Sequence, residues 1–283
     1  MTHIHSQRYE GVGVITIDRP ARFNALDIRT AQDFRRAALQ LARDAEVRAV
    51  VLRGLPGMFC SGADLKFIRD GGAADDLEYL TRAESRRGTV DGLKGSYGDV
   101  FKQILEYIHS TISEIRRAPK PFVAAVDGVA AAGGFGLAMC CDLVFASDRA
   151  SFEWAYSKTG LTGAESSTFM LPRLVGFRRA MELVLLNPRL DATRALELGL
   201  INGVYPVQTF DENVRQIAKT VAEGPTVAFG VAKGLLNQAA GMDRLDVHLD
   251  RELDNLSRIA DGAEFAEGLE GFFAKRPPKF QRT

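Results

Sequence analysis

An α/β fold built around parallel strands is what this sequence predicts. Three observations carry the prediction. Short, wholly apolar runs recur along the first three quarters of the chain, segments of helical period separate them, and beyond about Phe210 the strand signals stop. Val12–Asp18 (VGVITID) reads as a strand that ends at Arg19-Pro20. Phe34, Ala37, Ala38 and Leu41 then fall at i, i+3, i+4 and i+7, one face of a helix. Ala49-Val50-Val51-Leu52, closed by Gly54, Pro56 and Gly57, has the continuous apolar character of a strand buried on both faces. Phe122–Val126, introduced by Pro119 and Pro121, repeats it, and Leu143–Ala146 repeats it again. Strands that alternate with helices in this way pair in parallel. Val214–Glu223 and Val247–Ile259 carry helical period, so the last quarter is predicted helical. Residues 1–205 are therefore read as the α/β core and 206–283 as a helical C-terminal region. Between about Lys66 and Asp99 the rhythm breaks into a polar stretch holding Gly71, Gly72, Gly88, Gly92, Gly95 and Gly98, the pattern of a functional or mobile loop.

Bulk properties narrow the function classes. The 283 residues suffice for a large core, and 46% hydrophobic with 25% charged residues is ordinary for a globular protein. Lys+Arg and Asp+Glu both number 36, so no global field draws the chain to nucleic acid or to an anionic membrane. Met1–Tyr9 has no apolar stretch of a secretory leader, and no run reaches the ~18 apolar residues of a membrane span. Cys60, Cys140 and Cys141 are too few and too poorly spaced for a disulfide framework or a metal site. No metal is expected, and a cytoplasmic setting is the simplest reading.

Two loops carry the chemistry. Phe59-Cys60-Ser61-Gly62-Ala63-Asp64-Leu65 follows one buried strand, and Asp127 to Asp142, with Gly128, Gly133, Gly134 and Gly136, follows another and opens a helix. Small residues let a ligand approach the main chain, and free N–H groups there can receive developing negative charge. The alternative is a pair of tight turns packed for steric reasons. Nucleotide readings fail: Gly128 to Gly133 has phosphate-loop spacing without the following Lys-Ser/Thr, and G-x-G-x-x-G is absent there. No G-x-S-x-G elbow supports a serine hydrolase.

Together, these loops make the chain resemble the enoyl-CoA hydratase/isomerase (crotonase) family. The resemblance extends through Arg19-Pro20 with Asn24-Ala25-Leu26, Lys120–Gly128, Ala132-Gly133-Gly134, Leu171–Gly176, Ala195–Asn202, and Glu267-Gly268 with Phe272–Pro277. It implies a spiral of ββα units with a C-terminal helical region supporting a homotrimer or a dimer of trimers. It implies an acyl-CoA thioester as substrate, with coenzyme A part of that substrate and no permanently bound cofactor. The N–H groups of Ala63 and Gly133 would form the oxyanion hole. Asn24, Ala25, Leu26, Asp64 and Leu65 would flank CoA, and Phe272 and Lys275 would reach the adenine end on a neighbouring subunit.

The resemblance leaves the reaction open. The family's hydratases use two carboxylates, and the matching positions here are Gly136 and Tyr156. Glu165 is the best substitute, although the aspartate of dienoyl-CoA isomerases and 4-chlorobenzoyl-CoA dehalogenases falls one residue earlier, opposite Ala164. Pressed against an acyl pocket, Glu165 would serve as a proton shuttle; otherwise it is a solvent-facing loop residue. His109 lies where the dehalogenases carry a histidine, so a nucleophilic Glu165 with His109 as base is coherent, beside a structural reading of that histidine. Trp154 reads as acyl-pocket or core packing, Cys60 as a small filler, and Cys140 and Cys141 as core. Glu153, Glu84 and Asp91 read as exposed charges that a closing loop could bring inward. Enolate chemistry with isomerase-type proton transfer is the leading expectation. Dehalogenase-like or hydrolytic chemistry, or acyl-CoA binding without turnover, are the alternatives.

Overall fold

The computed structural model describes residues 2–72 and 96–280, in two sheets wrapped by helices. β1 (Ile4–Tyr9) and β2 (Val12–Ile17) form an antiparallel hairpin, after which α1 (Ile28–Arg43) starts on Asp27, whose carboxylate caps the Thr30 N–H at 2.8 Å. Each following turn of chain gives one strand to each sheet. β3 (Ala49–Gly54), β5 (Phe122–Val126) and β7 (Leu143–Ser147) join β1, β2 and β10 (Gly203–Tyr205) in the order β1-β2-β3-β5-β7-β10, parallel from β2 onward. β4 (Met58–Cys60), β6 (Val129–Ala131), β8 (Ser151–Glu153) and β9 (Leu190–Asp191) form the second sheet. The chain thus spirals through repeated pairs of strands. The helices α2 (Leu65–Arg69), α3 (Tyr97–Arg117), α4 (Gly133–Met139), α5 (Ser167–Val175), α6 (Phe177–Leu185) and α7 (Ala192–Glu197) lie between them.

The apolar runs of the large sheet are continuous because both faces are covered. Ile15, Ile17, Val50, Leu52, Phe122, Ala124 and Val126 join the main core, while Val12, Val14, Ala49, Val51, Val123 and Ala125 pack against α8 (Phe210–Glu223) through Phe210, Val214, Ala218 and Ala222. Three helices complete the described chain: α9 (Thr226–Ala239), α10 (Leu245–Ala260) and α11 (Ala263–Ala274). α1 and α10 both pack along α3. The polar stretch read as irregular from Lys66 to Asp99 contains α2 at one end and the start of α3 at the other. Asp64 caps α2 and Ser96 caps α3, which a reading by glycine content overlooked. Glu84 and Asp91 lie outside the described residues. Among the described residues no helix is long and apolar enough to cross a membrane, and no group of His, Cys, Asp and Glu could hold a metal.

Candidate active site

The first wall of the site is the loop after β4. Gly62 accepts the Leu26 N–H at 2.8 Å and Asp64 donates its N–H to the Leu26 carbonyl at 2.9 Å, so Ala63 lies between them with its own N–H turned away. Arg19 fixes this arrangement: it donates to the Ala25 carbonyl at 2.8 Å and Asp27 at 2.6 Å, and pairs with Asp64 at 2.8 Å. Asn24 works the same joint from inside, accepting from the Arg19 N–H at 2.7 Å and donating to the Met58 and Phe59 carbonyls at 2.9 and 3.1 Å.

The second wall is the turn from β6 into α4. Ala132 has φ 47° and ψ −118°, a backbone conformation ordinarily left to glycine, and its N–H is tied to the Glu153 carbonyl at 3.1 Å. That turn brings Gly133 against the first loop. At Gly62 (φ 93°) a Cβ would lie 2.9 Å from the Gly133 nitrogen, so only glycine permits the approach. Neither the Ala63 N–H nor the Gly133 N–H donates to another group among the described residues. Both residues line one cavity of about 510 Å³, together with Tyr156, Glu165, Phe101, Leu161, Leu256 and Phe273. Two unpaired donors facing an apolar cavity suit an oxygen that gains charge during reaction.

Glu165 enters the cavity from the loop before α5. It is 3% exposed, and its Oε1 stands 2.8 Å from where a Cβ on Gly133 would be. The Tyr156 hydroxyl donates to Oε2, and Trp154 packs on Tyr156 at a tilt of 56°, with ring centroids 5.1 Å apart. Burial pushes the Glu165 carboxyl up to about 8; the Tyr156 hydrogen bond opposes that rise and the neighbouring Glu252 carboxylate adds to it. Tyr156 itself is raised well above the usual phenol range, by burial and by the Glu165 charge. The corner carrying this carboxyl has positive φ at two successive non-glycine residues, Glu165 (51°) and Ser166 (63°), which costs roughly 1–2 kcal/mol for each.

The structure therefore brings Ala63, Gly133, Glu165 and Tyr156 to one cavity and divides the other predicted residues between that cavity and its supports. His109 stands behind the corner: its Nε2 accepts the Glu165 backbone N–H at 3.0 Å, and burial pushes the imidazole down to about 3. A ring so engaged is not placed to activate water in the cavity. Of the residues expected to flank CoA, Ala25, Asp64, Leu65 and Phe272 line the cavity, whereas Asn24 and Leu26 are fully buried supports of the loop. Phe272, expected at a neighbouring subunit's site, lines the cavity of its own chain, and Lys275 is an exposed helix-terminal residue with φ 53°. Glu153, read as an exposed charge, has a largely buried side chain. It pairs with Lys158 and accepts from Asn187 at 3.0 Å at the cavity edge. Cys60 is a buried thiol pushed up to about 12 by its surroundings, and Cys140 and Cys141 are buried and unpaired.

Sequence reasoning missed Glu252, which is 5% exposed beneath the Glu165 corner. A signal existed: Leu245, Leu249, Glu252, Leu256 and Ala260 form one buried stripe of α10, so a carboxylate interrupts an otherwise apolar face.

Comparison with known proteins gives a consistent picture. The family model described as Enoyl-CoA hydratase/isomerase matches residues 7–87 and 97–283. A 4-chlorobenzoyl coenzyme A dehalogenase from an Arthrobacter species is 32% identical over 273 residues, 96% of this chain and 91% of the relative. The 1,2-epoxyphenylacetyl-CoA isomerase of Escherichia coli K12 is 32% identical over 282 residues, 99% of this chain and 98% of the relative. The crystal structure of an enoyl-CoA hydratase from Mycobacterium avium subsp. paratuberculosis superposes with a TM-score of 0.83 at 30% identity, covering 99% of each chain.

Proposed function

Because the chain belongs to the enoyl-CoA hydratase/isomerase family of acyl-CoA enzymes, we propose that it moves a proton on an acyl-CoA thioester, in the manner of an enoyl-CoA isomerase, with Glu165 as the carrier. The observation that carries this reading is the position of the Glu165 carboxyl directly over Gly133, in a cavity shared with two unpaired N–H groups. The thioester oxygen accepts from Ala63 and Gly133. Glu165 removes a proton from the α- or γ-carbon, the electron pair moves onto that oxygen, and the same proton returns at the other end of the conjugated system. The donors grip the enolate more strongly than the neutral carbonyl, so the binding difference lowers the barrier. Tyr156 occupies Oε2, which leaves Oε1 for the proton.

Hydration by a carboxylate pair is disfavoured for a packing reason. A Cβ on Gly136 would meet the Glu165 carbonyl at 2.4 Å and its Cβ at 2.6 Å, so the corner fills the space a side chain there would need. Tyr156, the other hydratase position, is spent on Glu165. Both positions thus converge on one carboxyl. A nucleophilic, dehalogenase-like reading draws support from the Arthrobacter relative's name but lacks an imidazole in the cavity to act as base.

Ala25, Asp64, Leu65 and Phe272 are assigned to the CoA path because they line the cavity. We assign the active form to a homotrimer or a dimer of trimers and the setting to the cytoplasm, the latter on three unpaired buried thiols. The test is a panel of 2-enoyl-, 3-enoyl-, dienoyl-, 4-halobenzoyl- and epoxyphenylacetyl-CoA thioesters assayed with the wild type and Glu165→Gln. Isomerisation of an enoyl or dienoyl member, lost in the variant, supports the proposal. Rapid crotonyl-CoA hydration that survives Glu165→Gln would refute it.

A further inference from the structure

The strained corner that presents Glu165 is fixed from behind by two buried acceptors on packed helices. His109, from α3, takes the Glu165 N–H; Glu252, from α10, takes two more. Oε2 of Glu252 accepts the Ser166 N–H at 2.8 Å, and Oε1 accepts the Thr168 N–H at 3.0 Å together with the Thr168 hydroxyl. Three donors thus point at two oxygens. An acceptor-only group is required, and an amide would turn its NH₂ against one of the N–H groups.

We propose that Glu252 is a positioning residue for the reaction: by holding the Ser166 and Thr168 main chain it sets the Glu165–Ser166 corner and, with it, the place of the Glu165 carboxyl above Gly133. This rests on the reading of Glu165 as proton carrier. A residue needed only for packing would more simply be apolar, like its neighbours Leu249 and Leu256 on the same stripe. Glu252 is also electrically coupled to the site. The groups facing it are His109 at 3.9 Å, His248 with Nε2 at 3.7 Å, Thr168, and across the corner Glu165 and Tyr156. Both imidazoles are pushed down by burial, and among the described residues no lysine or arginine stands within ion-pair distance of Glu252, with Arg173 and Arg251 acting instead on the neighbouring His248. Burial holds the Glu252 carboxyl up at about 7 against the donors of Thr168 and Ser166. When ionised, it raises the Glu165 pKa.

The experiment uses the full-length enzyme labelled with carboxyl-¹³C glutamate. The Glu165 resonance is assigned by its absence in Glu165→Gln and titrated by NMR in the wild type, Glu252→Gln and Glu252→Asp. Kinetics on the best thioester of the panel and Trp154 emission are recorded beside it. Glu252→Gln is expected to move the Glu165 midpoint below its wild-type value and to lower kcat about 10- to 100-fold with KM changed by less than about threefold. Glu252→Asp, which keeps the charge, should leave the midpoint near wild type while kcat still falls. An unchanged midpoint with unchanged kcat in Glu252→Gln would overturn the inference, and unfolding of both variants would assign Glu252 a purely structural role. Activity that persists in Glu165→Gln would instead count against the proposed function, so the two failures are distinguishable.

Discussion

At the scale of single residues, the energetics of the site follow from burying one carboxyl with which no cation among the described residues forms an ion pair. Folding raises the Glu165 pKa from an ordinary carboxyl value to about 8, so the folded protein prefers the protonated form. The sign is that of a raised acid: the stability it carries is complete below the unfolded pKa and is lost as pH climbs toward the folded one. Glu165→Gln keeps an acceptor for the Tyr156 hydroxyl and removes the charge. It is expected to lower kcat about 10²- to 10⁴-fold while raising stability at pH 8 by up to a few kcal/mol, a gain that shrinks toward pH 5. Denaturant unfolding at the two pH values checks this, and equal stability of both proteins at pH 8 would contradict it. In the wild type, a kcat/KM that depends on ionised Glu165 should rise with pH through about 8, and a profile flat from pH 6 to 9 would remove the carboxylate as base. Gly136→Ala presses a methyl into the Glu165 backbone. A loss of about 1–3 kcal/mol, with a fall in kcat, is expected from thermal unfolding and assay.

Elements show where the sequence was legible and where it was not. β3, β5 and β7 could be read because burial on both faces turns them into continuous apolar runs. β4, β6 and β8 are three residues long and β9 two, too short to display alternation, so the second sheet was invisible as strands even though it aims both glycine loops. The two glycine-bearing loops stand out because close backbone approach demands small residues; the choice of Ala63, Gly133 and Glu165 comes from the family resemblance, in which the hydratase carboxylate positions hold Gly136 and Tyr156 here. The work of His109 and Glu252 depends on the positive φ of Glu165 and Ser166, which carries no glycine to mark it in the sequence. Asn24 illustrates the opposite error: its place in a recognisable motif suggested ligand contact, whereas its side chain binds β4 to the Arg19 turn. Asn24→Ala would strand the Arg19 N–H and the Met58 and Phe59 carbonyls in a dry interior. We expect a loss of roughly 2–4 kcal/mol in equilibrium unfolding, with activity falling as the Ala63 loop loosens.

For the whole molecule, α9 is turned inside out, and that inversion bears on assembly. Thr226, Gly230, Lys233 and Asn237 form its inward line. Gly230 lies so close to Pro119 that a Cβ would meet its carbonyl at 2.5 Å. Lys233 donates to the Ile115 carbonyl at 2.7 Å, the Lys120 carbonyl at 3.1 Å and Asp142 at 2.7 Å, and Asn237 donates to the Arg116 carbonyl at 2.8 Å. The outward side carries Val227 (83% exposed), Val231, Leu235 and Leu236 (71%), and Phe177, Leu185 and Leu186 of the α6 region are exposed as well. A monomer gains nothing by showing this surface to water, since exposed apolar area forgoes about 25 cal/mol for each Å² that contact could bury. The polar inner line explains how α9 stays attached without an apolar inner face, and the outer line is the apolar surface that the proposed trimer would cover. Leu235→Glu combined with Leu236→Glu should therefore leave the inner hydrogen bonds and the helix intact while shifting the sedimentation coefficient from a trimer or hexamer to a monomer. A wild-type chain that sediments as a monomer at micromolar concentration, or a double variant that still assembles, would show that this face is not the one the copies share.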